Sequence, residues 1–243
     1  MARPATLARL GAEIAAARAH NPALRLVIGH GSGSFGHVSA QKHRTRQGVH
    51  SPENWLGFVE VWRDANALHR LVLDALSAAG LPVISFPPSA MTIAADGQVA
   101  AWNLEPLCAA LSHGIIPLIQ GDTIFDTVRG GTILSTEDLF VYLARQLQPE
   151  KIFLAGIEPG VWLDFPACQQ LFPAITPANF TRASLAGASA TDVTGGMQSK
   201  VRAMLSLVEE NPALRGYIFS GETPGAVRRA LCGDPVGTII HAV

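Results

Sequence analysis

Leu24-Arg25-Leu26-Val27-Ile28-Gly29-His30-Gly31-Ser32-Gly33-Ser34-Phe35-Gly36-His37 is an apolar run that empties into a glycine-rich octapeptide with a histidine at each end. The run reads as a buried strand over 24–29. The octapeptide reads as a loop, because three glycines and two serines let the backbone turn sharply and offer several N–H groups to an anion. His37 adds a titratable donor where a phosphate would sit. A tight turn explains most single glycine loops. A second glycine motif, Thr191-Asp192-Val193-Thr194-Gly195-Gly196-Met197 followed by Lys200, strengthens the phosphate reading.

Working outward, helix and strand signals alternate to both ends of the chain. Leu7, Leu10 and Ile14 recur at helical spacing, so residues 5–19 read as an amphipathic helix rather than a targeting peptide. Ser51, Pro52 and Glu53 read as an N-cap, a first-turn proline and a first-turn acid of a helix that runs to Gly80. Strand 83–86, a hairpin around Asp96-Gly97, helix 104–112 and strand 115–119 follow. Pro117 places the start of that last strand at a sheet edge or outside the ladder. Gly121-Asp122 ends the strand, and a hairpin turning on Gly130-Gly131 leads to a helix from Thr136 to Leu147. Then come strand 151–155, an irregular stretch over 158–190, helix 197–210, strand 217–219, helix 224–232 and strand 238–242. This alternation predicts an α/β fold, a three-layer αβα sandwich with a mostly parallel central sheet. It reads as a single domain over 1–243, with an acceptor-binding part to about 145 and a nucleotide-binding part from about 146.

Composition narrows the partners. At 243 residues with 48% hydrophobic and 15% charged side chains, the chain is too apolar for disorder and long enough to bury a core. A net charge of −1 gives no general reason for nucleic acid or an anionic membrane as partner, so any phosphate binding is local. Lysine is scarce, only Lys42, Lys151 and Lys200 against fifteen arginines, which leaves few candidates for a lysine point charge. Cys108, Cys168 and Cys232 are scattered without metal spacing and read as reduced thiols of a cytoplasmic protein. No metal site is expected from side-chain clusters.

In an open parallel sheet, ligands bind beyond the carboxyl ends of the strands. Segments 30–37, 121–122, 156–160 and 220–225 all fall there. His30–His37, Gly121-Asp122 through Leu139, Lys151–Trp162, and Asp192–Met197 with Lys200 together resemble the isopentenyl phosphate kinases of the amino acid kinase superfamily. The resemblance covers about residues 24–242. It implies transfer of the γ-phosphoryl of ATP, with Mg²⁺, to isopentenyl phosphate, and a homodimer. Carried across, Gly31, Gly36 and His37 would hold the acceptor phosphate, with Gly121 nearby and His37 the catalytic donor. Ser32 would lie where the two phosphates meet, and Gly156, Gly160, Gly196 and Lys200 would hold the nucleotide. Asp122, an acid at a strand's end, reads as orienting loop amides or acting through Mg²⁺. The prenyl tail would lie against the helix after Pro52, where Trp55, Val59 and Trp62 form a stripe beside Phe58, Val61 and Ala65.

The sequence departs from that family in two places. Relatives open with a strand and a Lys-Gly-Gly-Ser loop that supplies donor-phosphate contacts and a lysine, whereas this chain is in its first helix by about residue 5. The expectation is a natural start further upstream. Ala155-Gly156-Ile157-Glu158-Pro159-Gly160 also stands where many relatives carry an aspartate-containing turn. Two alternatives stay open: a nucleotide- or phosphate-binding relative without turnover, and a kinase of the same fold acting on an amino acid, carbamate or phosphonate.

Overall fold

The computed structural model describes residues 2–180 and 196–243. The chain divides into two compact units, Met1–Tyr142 and Leu143–Val243.

In the first unit, β1 (Ile28–His30), β2 (Val83–Ser85) and β5 (Ile116–Gln120) form a parallel sheet in the order β1-β5-β2. The apolar run is thus strand only at its end, because β1 is an edge strand whose ladder covers Leu118 to Gln120 of β5. The expectation drawn from Pro117 holds toward β1, whose ladder begins only at Leu118, but not toward β2. Pro117 lies inside the central strand, opposite Ile84. Ile116 N–H donates to Pro82 O and Leu118 O accepts from Phe86 N–H, so even-numbered residues of β5 bond toward β2. Pro117 therefore turns its missing donor toward β1, one residue before that ladder begins.

The two faces of this sheet are covered differently. Parallel partners share a face, so His30, Gln120 and Ser85 lie on one side and Gly29 on the other. α3 (Pro52–Ala78) covers the first side with a buried stripe of Phe58, Val61, Ala65, His69, Val72 and Leu76. Its N-cap is as expected: the Ser51 hydroxyl accepts from Asn54 N–H at 3.3 Å, with Pro52 and Glu53 in the first turn. α6 (Thr136–Leu147) covers the other side, and a side chain at position 29 would overlap Phe140.

β3 (Thr92–Ala95), β4 (Gln98–Trp102), β6 (Asp122–Asp126) and β7 (Gly130–Leu134) make a second sheet in the order β4-β3-β6-β7. The expected hairpin at Asp96-Gly97 is present, both residues with positive φ and both N–H groups donating to the Asp126 carboxylate. The second hairpin turns on residues 127–129 rather than on its glycines. Asp126 accepts from Val128 and Arg129 N–H, and Gly130 and Gly131 already belong to β7. Close approach explains both, since a Cβ would overlap the Val49 carbonyl at 130 and the Phe58 ring at 131. Among the described residues the strands of this unit thus fall into two sheets.

In the second unit the order is β8-β10-β11-β9, with β8 (Lys151–Gly156), β9 (Ala174–Ile175), β10 (Arg215–Ser220) and β11 (Thr238–Ile240). The β8–β10 and β9–β11 pairs are parallel and β10–β11 antiparallel. Along β10 the faces alternate as period-two patterning requires. Gly216 receives Met204 of α7 (Gly196–Glu210), whereas Tyr217 and Phe219 pack with Ala226 and Ala230 of α8 (Ala226–Cys232) on the other side.

Candidate active site

The octapeptide is not a long loop. Only Gly31 and Ser32 form the turn; α2 (Gly33–His43) begins immediately, so His37 sits in a helix. Gly33 takes a positive φ of 51° to let the chain enter it. His37 lies four residues on, on the same helical stripe, and is exposed. Gly36 is a packing glycine, since a Cβ there would lie 2.7 Å from Ser32 Oγ. Gly31 has open space around the position of a Cβ. The other end of α2 is tied to α3, where Glu60 accepts from Lys42 Nζ at 3.0 Å and pairs with His43 Nε2 at 2.7 Å. Lys42 is thus engaged away from the turn.

Three elements meet at the carbonyl of His30. Thr136 Oγ1, in the first turn of α6, donates to it at 2.7 Å, and Gly121 N–H at 3.3 Å. Gly121 needs its missing side chain, because a Cβ would come within 3.1 Å of Thr136 N. The carboxyl ends of β1 and β5 and the amino ends of α2 and α6 therefore converge on residues 30–32. Helix N-termini carry partial positive charge and orphan N–H groups, which suits an anion.

Beneath the turn lies a polar layer. His30 Nε2 and His69 Nδ1 are 3.0 Å apart, and His69 Nε2 is 2.7 Å from Ser85 Oγ. Burial holds both imidazoles below their usual range, His69 at about 4, with the charge of His30 as the second cause there. Asp122, 1% exposed, accepts from Ser89 N–H at 3.1 Å and Thr123 N–H at 2.9 Å. Burial pushes its carboxyl up to about 6, against the opposing pull of those bonds. The Gln120 amide lies close enough to favour the Asp122 carboxylate, but neither of its polar atoms reaches hydrogen-bond geometry. Asp122 thus anchors α4 (Pro88–Met91), and Ser89 Oγ in turn accepts from Trp62 Nε1 at 3.3 Å.

In the stripe on α3, Phe58, Val61 and Ala65 are core, whereas Val59 (57%) and Trp62 (42%) stay exposed. Trp55 packs with Phe58 and Phe125. Among the described residues no group of three His, Cys, Asp or Glu side chains is placed to hold a metal ion.

In the second unit, Gly156 ends β8 with open space around it, and its carbonyl accepts from Gly221 N–H at 2.8 Å. Gly160 is buried by packing instead, a Cβ there lying 2.8 Å from Thr238 Oγ1. Gly196 opens α7 with φ +64°, and Lys200 stands one turn along that helix. Thr191–Gly195, the first part of the second glycine motif, lie outside the described residues.

A family model described as the amino acid kinase family matches residues 1–220. The chain belongs to that family. Within it, the isopentenyl phosphate kinase of Methanothermobacter thermautotrophicus is 31% identical over 220 residues, covering 87% of this chain and 82% of the relative. The isopentenyl phosphate kinase of Methanocaldococcus jannaschii is 29% identical over 90% of this chain and 82% of its own. A solved isopentenyl phosphate kinase structure superposes with a TM-score of 0.80 at 28% identity, covering 97% of this chain and 90% of that one. This amino acid kinase is accordingly a phosphotransferase with ATP as its phosphoryl donor, and it groups with the isopentenyl phosphate kinases.

From the sequence of this kinase, Thr136 was read only as the start of a helix, and His69 and Ser85 were given no role in the site. For His69 a signal existed: it falls on the 58-61-65-69-72-76 stripe, which marks a buried position.

Proposed function

We propose that the protein transfers the γ-phosphoryl group of ATP to isopentenyl phosphate, giving isopentenyl diphosphate and ADP. The observation that carries this reading is the convergence of two helix N-termini on the 30–32 turn, with exposed His37 one turn along α2. Similarity to isopentenyl phosphate kinases over most of the chain supports the choice of acceptor.

In this reading a phosphate oxygen of the acceptor attacks the γ-phosphorus. The new O–P bond forms as the bond to the β,γ-bridging oxygen breaks, and its electron pair leaves with ADP. The acceptor phosphate is already largely dianionic at neutral pH, so no strong base is required. The task is to hold two anions together. Gly31, Gly36, Gly121 and His37 serve the acceptor phosphate, with His37 donating to its oxygens. Ser32 stands between acceptor and donor. Gly156, Gly160, Gly196 and Lys200 serve the nucleotide, Gly160 by shaping the loop rather than by touching phosphate. Residues 1–145 would bind acceptor and 146–243 nucleotide. Both oxygens of Asp122 are engaged by amides, so it orients α4, and Mg²⁺ would be held by the ATP phosphates rather than by a carboxylate cage. The prenyl tail would lie along Val59 and Trp62. A cytoplasmic homodimer completes the proposal.

Phosphorus NMR of a reaction containing ATP and isopentenyl phosphate tests it. Appearance of isopentenyl diphosphate with ADP is expected. ATP consumption only with an amino acid, carbamate or phosphonate acceptor would overturn the choice of substrate.

A further inference from the structure

The histidine pair under the turn has a direction. Gly31 O can only accept, so His30 Nδ1, 3.0 Å from it, must carry a proton. In a neutral ring His30 Nε2 is then an acceptor, which requires His69 Nδ1 to donate. His69 Nε2 must in turn accept, and the Ser85 hydroxyl donates to it. Only one neutral assignment satisfies all three contacts. It starts on β2, passes through α3 and ends on the Gly31 carbonyl.

A trans peptide points its C=O and the following N–H in opposite directions. The Gly31 carbonyl is held against the His30 ring, whose other nitrogen reaches buried His69, so the Ser32 N–H is aimed away from the core. Gly31 has no side chain and open space around it, so nothing else on that residue resists rotation of this peptide. We propose that Ser85, His69 and His30 form a positioning relay that fixes the Gly31–Ser32 peptide and thereby aims Ser32 N–H at the acceptor's phosphate. His69 and Ser85 are positioning residues here and touch no substrate. The inference rests on the acceptor site being at this turn.

Inorganic phosphate binding by calorimetry, steady-state kinetics and melting temperature are measured on the wild type and three variants. His69→Leu keeps the bulk but breaks both contacts. His69→Asn keeps a donor near the position of Nδ1, and Ser85→Ala removes only the far end. In His69→Leu, phosphate affinity is expected to fall about tenfold, the weight of one hydrogen bond to a charged group. KM for isopentenyl phosphate rises in parallel while KM for ATP stays put. His69→Asn recovers most of the loss, and Ser85→Ala shows a smaller change of the same kind, which carries the test if His69→Leu does not fold. Equal changes in both KM values, unchanged phosphate binding in a folded variant, no rescue by Asn, or a wild type that binds no phosphate would each overturn the relay. A wild type that binds phosphate, with affinity following the relay, yet makes no isopentenyl diphosphate would overturn the substrate alone.

Discussion

Thr136 Oγ1 donates to the carbonyl oxygen of His30 at 2.7 Å, across 106 positions of sequence. That bond joins the first turn of α6 to the end of β1 and fixes where the chain leaves the sheet. Thr136→Val keeps the shape and removes the donor, leaving only the longer Gly121 contact. We expect a loss of about 1 kcal/mol, seen as a melting temperature lowered by about 2–4 °C. The KM for the acceptor should rise with it.

His37 is exposed on α2, so its removal should spare the fold. His37→Ala is expected to shift stability by no more than about 0.5 kcal/mol, while kcat falls about 10²–10³-fold, as for loss of a preorganised donor. Calorimetry and turnover on one preparation check this. A folded variant with wild-type kcat would remove His37 from the reaction.

Gly29 in β1 and Gly31 in the turn that follows, two residues apart, should behave oppositely. Gly29→Ala forces a methyl into the Phe140 ring, and overpacking of that kind costs about 1–3 kcal/mol. Gly31→Ala meets open space and an ordinary φ, so melting should change little. Its methyl would instead stand where the phosphate is proposed to bind, and acceptor affinity should drop. Thermal melts and acceptor titrations of both variants distinguish the two effects.

Asp122 gives a pH signature. Its carboxyl is raised from 3.8 to about 6 in the fold, so the folded state binds more protons than the unfolded state between those values. Stability from this group is therefore full below about pH 4 and is lost as pH rises through 6. A shift of that size corresponds to about 3 kcal/mol. His30 and His69 run the other way: lowered in the fold, they favour it above their unfolded value and lose that contribution as pH falls, for His69 toward about 4. In the wild type the opposing slopes overlap. Asp122→Asn removes one of them, so denaturant titrations from pH 4 to 7 should show stability rising with pH more steeply than in the wild type.

Lys200→Ala should weaken ATP more than the acceptor, because Lys200 stands one turn from Gly196 at the start of α7. Separate titrations of the two ligands decide it. A selective loss of acceptor binding would place Lys200 on the wrong side of the reaction.

What was legible in the sequence follows a physical division. Local signals worked where one residue dictates one conformation: Ser51-Pro52-Glu53 opens α3, and Asp96-Gly97 makes the β3–β4 turn. They failed where long-range contacts decide. Gly130 and Gly131 look like a turn, yet they are strand residues because Val49 and Phe58 press against them. The octapeptide looks like a loop because glycine lowers helix propensity, yet α2 forms through it. At the site, the 30–32 turn, Gly121 and His37 stood out by composition. His69 and Ser85 did not, since a lone histidine in a helix and a lone serine in a strand carry no mark of their meeting.

Pro117 acts as a ruler for the chemistry several residues away. Its nitrogen faces β1 without a hydrogen to give, so sliding β1 one step toward the start of β5 would leave a carbonyl unmatched. A one-residue slip would also turn His30 to the opposite side of the sheet. The imino acid thus penalises misalignment at the bottom of the strand and sets the height at which residue 30 emerges at the top. A substitution that restores the amide, Pro117→Ala, would make the sheet more permissive rather than weaker. Heterogeneity would then surface not in the proline's own surroundings but in the position of the Gly31–Ser32 turn.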